Sequence, residues 1–309
     1  MSQELTSTKC LAAAFGHHKC ATTWINSICE QVCLDLGLKS GLVFDKSGFG
    51  GDLASYVRER KIDFLLYPNA HAQQVHNLRV EKLRAFHYVR DPRDIVVSAY
   101  FSHRNSHPTE AWPELVEYRQ KLLSCSKDQG LFLELEFSSG LFQDMRSWRN
   151  RSGNGSIRLY KIEDMVSNPY QAFLEIFEFL GLLNQDYYSA SSRLRFLLAQ
   201  GSGKLERVMS SAVRLPRGLR TIPAERLLGI VHERNFSKLS GGRRRGEVDP
   251  SSHYRRGVHG DWLNHFSLEH LQFFKERYGD IVLQYGYEND PDWDRKYAPI
   301  IRDRDRSSP

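Results

Sequence analysis

One stretch near the start of the sequence constrains the fold most: a short apolar run, a polar turn and an amphipathic helix follow one another directly. The run Leu11–Phe15 predicts a buried strand, and apolar positions recur with helical spacing from about Thr22 to Leu36, where Gly37 ends the pattern. Similar apolar runs and helical segments alternate further along the chain, which favours βαβ units and a parallel sheet. The predicted fold class is therefore α/β, with a central parallel sheet flanked by helices.

The remaining pattern predicts three more strands and three more helices. The strands are expected at residues 64–67, 86–89 and 157–160, and the helices after the capping residues Asp91, Asn168 and Ser267. Residues 125–155 and 186–230 mix helical pattern with loop, and as insertions they could form lids. We expect one domain over residues 1–290 and a charged, partly disordered tail over residues 291–309.

The composition favours an intracellular protein with an anionic partner. The net charge is +6 and the isoelectric point is near 9.0, which fits a nucleic acid, a membrane surface or a small polyanion equally well. The five cysteines lack paired CxxC spacing and are interpreted as reduced thiols. No signal-peptide pattern opens the chain, and no apolar run approaches the roughly 20 residues needed to span a bilayer. A cytoplasmic location is expected.

The turn after the first strand is suited to an anion. It offers free backbone N–H groups and the positive end of a helix dipole, both of which favour phosphate. Nucleoside triphosphatases use the pattern G-x-x-x-x-G-K-[ST], in which lysine reaches the terminal phosphates. Here Ala21 and Thr22 stand at the positions of that glycine and lysine, and Lys19 lies earlier, beside a single phosphate. The position of Lys19 therefore argues against a P-loop nucleotide kinase, which is kept as an alternative function.

Three motifs resemble those of the cytosolic-type sulfotransferases, and they occur in the order found in that family. HKCATTW at residues 18–24 resembles the loop P-K-S-G-T-T-W, and YVRDPRDIVVSAY at residues 88–100 resembles the 3′-phosphate motif. RRGVHGDWLNHF at residues 255–266 resembles R-K-G-x-x-G-D-W-K-N-x-F and is the most specific match. The resemblance implies a P-loop-like sulfotransferase fold and 3′-phosphoadenosine 5′-phosphosulfate (PAPS) as the co-substrate, with no metal.

The resemblance also implies which residues bind this donor. Lys19 would stabilise the charge on the bridging oxygen, Arg90 and Ser98 would bind the 3′-phosphate, and Trp24 and Phe236 would stack on the adenine. The full implied set is Lys19, Cys20, Ala21, Thr22, Thr23, Trp24, Arg90, Ser98, Phe236, Arg255, Arg256 and Gly257. Ile162 and Arg234 replace an aromatic residue and a threonine of the family pattern at the implied adenine site.

A histidine is the expected catalytic base. His71, in the segment YPNAHA 19 residues before Arg90, corresponds to the family's base histidine, and Asn69 replaces the family's lysine. His76 on the same segment is the main competitor, and some branches of the superfamily use glutamate. The sequence thus predicts in-line sulfuryl transfer, with His71 as base and Lys19 at the transferred group, to a hydroxyl or amine.

Other features point elsewhere but more weakly. His103 and His107 have the spacing of a zinc pair, but the sequence shows no third ligand, so a solvated helix face is favoured. The basic run Gly241–Gly246 is expected to be flexible and lacks the interleaved aromatic residues of an RNA-binding segment, so no nucleic acid is expected as a partner. A nucleotide-binding pseudoenzyme is a further alternative. The acceptor, a small molecule or a glycan, and the oligomeric state do not follow from the sequence.

Overall fold

A computed structural model of the protein describes residues 10–78, 80, 82–110, 112–149, 155–184, 221–249, 252 and 255–307. The chain divides into two compact units. The sheet unit comprises residues 1–17, 21–89 and 151–235, and the helical unit comprises residues 18–20, 90–150 and 236–309. Most of the predicted insertion at residues 186–230 lies outside the described residues. Within the described ranges, every helix is too short or too polar to span a membrane.

The sheet unit is built on five parallel strands in the order β2-β3-β1-β4-β5. They are β1 (Leu11–Phe15), β2 (Ser40–Leu42), β3 (Phe64–Tyr67), β4 (Leu83–Val89) and β5 (Ile157–Lys161), and a second, two-stranded pair joins β6 (Leu183–Asn184) to β7 (Ile222–Pro223). β1 is central and fully buried, with Phe15 in register with Tyr67 on one side and His87 on the other. The predicted α/β class with a central parallel sheet is confirmed.

The helices predicted from about Thr22 and after Asp91, Asn168 and Ser267 are present, and the described residues also contain helices that were not predicted. Numbered along the whole chain, they are α1 (Thr22–Leu36), α2 (Leu53–Glu59), α3 (Ala72–His76), α4 (Pro92–Asn105), α5 (Glu114–Ser124), α6 (Lys127–Phe137), α7 (Ser139–Ser147), α8 (Ile162–Ser167), α9 (Pro169–Phe179), α10 (Ala224–Glu233), α11 (Phe236–Leu239), α12 (Leu268–Gln284) and α13 (Asp294–Ser307). α1 buries its apolar stripe and ends at Gly37, which adopts a left-handed conformation.

In the helical unit, α4 packs against α5, α6 and α12. Its start is fixed by Asp91, whose carboxylate accepts a hydrogen bond from the Arg93 backbone N–H at 2.9 Å. α6 approaches α4 closely at Gly130, where an added Cβ would lie 2.5 Å from Cε2 of Tyr100. Residues 127–147 of the segment expected to be an irregular insertion therefore form α6 and α7, two well-packed helices.

The C-terminal segment corrects one expectation. Residues 294–307, expected to be partly disordered, form α13, because apolar residues four apart give this charged segment a packing face. Trp293 and Ile301 are buried, and the Tyr297 ring packs edge-on against Trp262, with 4.8 Å between centroids. Arg304 fixes the last turn by donating to the carbonyl oxygens of Leu263 and Phe266. Apart from this helix, the division into one domain over residues 1–290 and a tail over residues 291–309 stays a prediction.

Candidate functional site

The candidate site in the sheet unit begins where β1 ends. The Gly16 N–H donates to the carbonyl oxygen of Tyr67 at 3.1 Å, and the Gly16 carbonyl accepts from the Ala70 N–H at 2.9 Å. A Cβ at Gly16 would collide with the Tyr88 ring, so this position needs glycine. These contacts place His71, the residue before α3, beside the first residue of the polar turn. His71 is half-buried, whereas its competitor His76 is exposed.

The turn itself is conformationally unusual. Lys19 and Ala21 both have positive φ, at 64° and 57°, which is a costly conformation for residues with a Cβ. Ala21 precedes α1 and has no side-chain acceptor for the first N–H groups of that helix, and the first turn of α1 holds no acidic residue. Thr22 is half-buried and Thr23 is exposed at this end of α1. The positive end of the helix dipole and the flanking hydroxyls give this helix start the chemistry of a phosphate site.

In the helical unit, the structure brings Lys19 and Arg90 together. Nη1 of Arg90 donates to the carbonyl oxygen of Lys19 at 3.2 Å. Burial lowers the pKa of Lys19 to about 8, as do the positive charges of Arg90 and Arg255, while Glu134 acts in the opposite direction. Three cationic side chains from distant parts of the sequence therefore influence one another here. Such a concentration of positive charge favours an anion.

The loop of residues 255–266 is held by two buried carboxylates. Asp94 of α4 accepts hydrogen bonds from the backbone N–H groups of Gly260, at 2.6 Å, and Trp262, at 3.0 Å. Burial raises the pKa of Asp94 to about 6. Asp261 forms ion pairs with both Arg255 and Arg256. One carboxylate therefore orients the two arginines of this loop that the resemblance implies as donor-binding residues.

Hydrogen bonds and ion pairs outweigh burial at Asp261. Burial alone would raise the pKa of this carboxyl group, but hydrogen bonds from His265, Arg255 and Asn264 bring it well below its usual range. The group is therefore ionised at neutral pH. It keeps a fixed negative charge next to the two arginines.

Phe236 packs on the same loop. Gly257 has φ 69°, and a Cβ there would lie 2.6 Å from Cε2 of Phe236. Arg243 lies 5.8 Å from the centre of the Phe236 ring and donates to the Arg255 carbonyl oxygen at 3.1 Å. A further bond from Arg243 to Oγ of Ser252, at 2.7 Å, anchors the basic run that the sequence led us to expect as flexible. This arginine is therefore a structural part of the loop.

The other predicted site residues are distributed between the units. In the sheet unit, Trp24 is buried and packs edge-on against Phe173, with 5.3 Å between ring centroids. In the same unit Arg234, which replaces a threonine of the motif, donates to Oε1 of Gln31 at 3.1 Å. In the helical unit, Cys20 is buried and Ser98 is half-buried on α4, two turns after Arg90.

Histidines provide a cluster that the sequence pattern missed. In the helical unit, Nε2 of His18 lies 3.1 Å from Nε2 of His103, and His107 completes a group of three. His103 is buried, so the expectation of a solvated helix face is wrong for it. The spacing of His103 and His107 was visible in the sequence, but nothing in the sequence pattern connects them to His18, 85 residues away.

A second histidine pair lies in the sheet unit. Nε2 of His17 and Nε2 of His87 are 2.9 Å apart, and both side chains are buried. Burial, together with the neighbouring His17, lowers the pKa of His87 well below its usual value. His87 is therefore neutral at physiological pH, and its ring shares a hydrogen bond with His17.

A parallel α/β sheet followed by a lysine-containing turn, together with a cluster of arginines, is typical of enzymes that bind phosphorylated nucleotides. Residues 69–198 match the family model of the sulfotransferase domain, so the recognition of this domain in the chain is confirmed. No curated protein sequence matches the chain significantly.

Similar solved structures include a sulfotransferase and a dehydratase, both in complex with PAP. Mouse sulfotransferase SULT7A1 complexed with PAP is 16% identical, covers 96% of this chain and 89% of its own, and gives a TM-score of 0.49. Retinol dehydratase with androsterone and the inactive cofactor PAP is 12% identical, with 88% and 80% coverage and a TM-score of 0.46. The same enzyme with retinol and PAP is 12% identical, with the same coverage and a TM-score of 0.45.

Proposed function

We propose that the protein is a PAPS-dependent sulfotransferase that transfers a sulfuryl group to a hydroxyl or amine of a small-molecule or glycan acceptor. The contact between Arg90 and Lys19 carries the proposal. It joins the loop assigned to the 5′-phosphosulfate to the motif assigned to the 3′-phosphate. A nucleotide with phosphate groups at both its 3′ and 5′ positions presents two anions that this pair is suited to bind.

The arginines provide the specificity for the 3′-phosphate. Arg90 and Arg255 both act electrostatically on Lys19, so an anion bound there relieves repulsion among three like charges. Arginine forks bind phosphate oxygens in pairs, and Asp261 keeps Arg255 and Arg256 in position. Ser98 adds a hydroxyl on α4, and Phe236 offers an aromatic face next to Gly257 for the adenine.

The strained turn suits the 5′-phosphate. The positive φ angles of Lys19 and Ala21 redirect the backbone between β1 and α1, and Thr22 and Thr23 add hydroxyl donors at the start of the helix. Lys19 lies in the same turn and would stabilise the negative charge on the oxygen that leaves with the nucleotide. Bound PAPS supplies the activated sulfuryl group, and the protein supplies position and charge.

His71 is the proposed base. The hydrogen bond between Ala70 and Gly16 holds His71 at the carboxyl end of β3, beside the start of the turn. A half-buried histidine can accept a proton from the acceptor hydroxyl as the new S–O bond forms. The exposed His76 lacks this position. The described cysteines are all free thiols, which accords with the proposed cytoplasmic location.

A thermal-shift comparison tests the proposal. We expect 3′-phosphoadenosine 5′-phosphate (PAP) to raise the melting temperature equally with and without Mg²⁺, and ATP to have a much smaller effect. Stabilisation by ATP that requires Mg²⁺, with none by PAP, would instead indicate a nucleotide kinase. If PAP binds but no sulfated product forms from PAPS with any acceptor in a broad panel, the protein is a nucleotide-binding pseudoenzyme.

A further inference from the structure

Three imidazole rings of the helical unit surround one point. The ring centroids of His18 and His103 are 5.3 Å apart, those of His18 and His107 are 5.3 Å apart, and those of His103 and His107 are 5.5 Å apart. One ligand nitrogen from each ring lies within 4.8 Å of the other two. The three ring centroids therefore form a nearly equilateral triangle.

The spacing fits a tetrahedral metal ion. A zinc ion about 2.0–2.1 Å from each imidazole nitrogen places two such nitrogens about 3.3 Å apart. The Nε2 atoms of His18 and His103 are 3.1 Å apart. A small adjustment of His107, which is half-buried two residues after the end of α4, would complete a three-histidine set.

Neighbouring acceptors fix the tautomers of two of the three imidazoles. Nδ1 of His103 donates to Oε2 of Glu134 at 3.0 Å, so the lone pair of its Nε2 faces the centre of the triangle. Nδ1 of His107 donates to the carbonyl oxygen of Pro108 at 2.8 Å, so Nε2 of His107 carries the lone pair. A histidine ligand whose other nitrogen donates to a carboxylate or carbonyl is the usual arrangement at protein metal sites.

The supporting carboxylate is itself well held. Glu134 is fully buried and accepts hydrogen bonds from Tyr118 at 3.1 Å and from Ser138 at 3.1 Å, in addition to that from His103. Burial and the Glu134 charge raise the pKa of Tyr118 well above its usual value, so its hydroxyl stays a donor. A buried carboxylate with three donors is a rigid support for one ligand.

Two further side chains organise the cluster. Arg119 donates to the carbonyl oxygens of both His103, at 2.7 Å, and His107, at 2.5 Å, which fixes the backbone of both residues. The Trp112 indole meets all three imidazoles edge to face, at centroid distances of 5.4 to 5.9 Å. This apolar wall lowers the local dielectric and limits access of water to the cluster.

We propose that His18, His103 and His107 form a binding site for one divalent transition-metal ion of the zinc class, with a fourth coordination position left for water or another small ligand. Imidazole ligands favour zinc, copper and nickel over magnesium and calcium. The bound ion links His18, the residue before Lys19, to the C-terminal end of α4, the helix that begins just after Arg90. It therefore fixes the position of the turn. The proposal is independent of the sulfotransferase assignment, because it needs no nucleotide.

The test uses the full-length chain without a polyhistidine tag, stripped of metal with a chelator. Isothermal titration with Zn²⁺ is expected to give one ion per chain, and Co²⁺ is expected to give the intense visible absorption of a tetrahedral or five-coordinate site. His107→Ala, at the half-buried position, should weaken Zn²⁺ binding by at least about 100-fold and abolish that absorption. Glu134→Gln should weaken binding by about 10- to 100-fold.

His76→Ala is the matched control, since His76 is an exposed helical histidine in the sheet unit, and it should bind Zn²⁺ like the wild type. Circular dichroism of each metal-free variant is used to check that the variant retains its fold. The proposal is overturned if the wild type takes up no stoichiometric Zn²⁺, or if His107→Ala binds it equally well. It is also overturned if the Co²⁺ spectrum shows thiolate bands, which would place the ion at cysteines.

Discussion

The guanidinium of Arg90 holds the carbonyl oxygen of Lys19 at 3.2 Å, across 71 residues of sequence. Because the guanidinium uses only Nη1 in this bond, its other N–H groups can bind an anion while the turn is held in place. The two residues therefore form one unit, in which the arginine both positions the lysine turn and adds to its charge.

The first prediction concerns nucleotide affinity. In the proposed donor site, Lys19→Ala and Arg90→Ala would each remove a charge-assisted hydrogen bond to a phosphate, worth about 1.5–3 kcal/mol. We expect each variant to bind PAP about 10- to 150-fold more weakly in isothermal titration. Lys46→Ala and Arg58→Ala, at exposed positions of the sheet unit, are the matched controls and should bind PAP like the wild type. Unchanged affinity in both test variants would refute the assigned anion site.

The second prediction concerns the glycine under Phe236. Gly257→Ala places a methyl group 2.6 Å from the Phe236 ring on a residue with positive φ, so the loop and the ring must both shift. We expect PAP affinity to fall by about 10-fold, comparable to the loss of one aromatic stacking contact of about 1–3 kcal/mol in Phe236→Ala. Gly229→Ala, which has open space around it within α10, should leave PAP affinity unchanged. If Gly257→Ala and Gly229→Ala bind PAP equally well, Phe236 is not part of the nucleotide site.

The third prediction separates the candidate bases. General-base catalysis typically contributes about 10²- to 10⁴-fold to the rate. We expect His71→Ala to lower kcat for an identified acceptor by about this factor while PAP affinity stays near the wild-type value. His76→Ala should keep its full kcat, because His76 is exposed at the end of α3. If His71→Ala keeps the wild-type kcat, His71 is not the base, whereas the proposed donor site would be unaffected by that result.

The fourth prediction concerns stability at acid pH. The pKa of Asp261 is lower in the folded protein than in the unfolded chain, so its contribution is present above about pH 4 and is lost as the pH falls below that value. Breaking a buried ion pair costs about 3–5 kcal/mol, and Asp261→Asn should destabilise at the lower end of that range at pH 7, because the arginines are partly exposed. In urea unfolding at several pH values, the difference in free energy of unfolding between Asp261→Asn and the wild type should decrease below about pH 4. If that difference in free energy of unfolding is the same at pH 7 and pH 3, the low pKa of Asp261 in the folded protein is contradicted.

The fifth prediction tests the packing of α13 with two neighbouring isoleucines. Ile301 is fully buried and Ile300 is about half exposed. Ile301→Ala should lower the free energy of unfolding by about 2–4 kcal/mol, because it removes buried methyl groups and leaves a cavity. Ile300→Ala should change it by less than about 0.5 kcal/mol, as is usual for exposed positions. Similar small effects at both positions would mean that α13 does not pack through this face.

Much of the fold could be predicted from local signals in the sequence. The start of α4 after Asp91 and the end of α1 at Gly37 depend on capping and backbone preferences, which a few neighbouring residues decide. The strand β1 was identifiable because a wholly buried parallel strand appears as an unbroken apolar run. Helix α13 was not predicted, since its one buried residue, Ile301, lies among charged residues.

The sequence by itself determined the alternation of strands and helices, and it identified three segments that resemble sulfotransferase motifs. Tertiary structure alone decided which of their side chains meet: the Arg90–Lys19 bond, the double pairing of Asp261 with Arg255 and Arg256, and the joining of His18 to His103. The physical reason is range. Capping and periodicity act over a few residues, whereas charge and hydrogen-bond geometry depend on distances in space that the folded backbone sets.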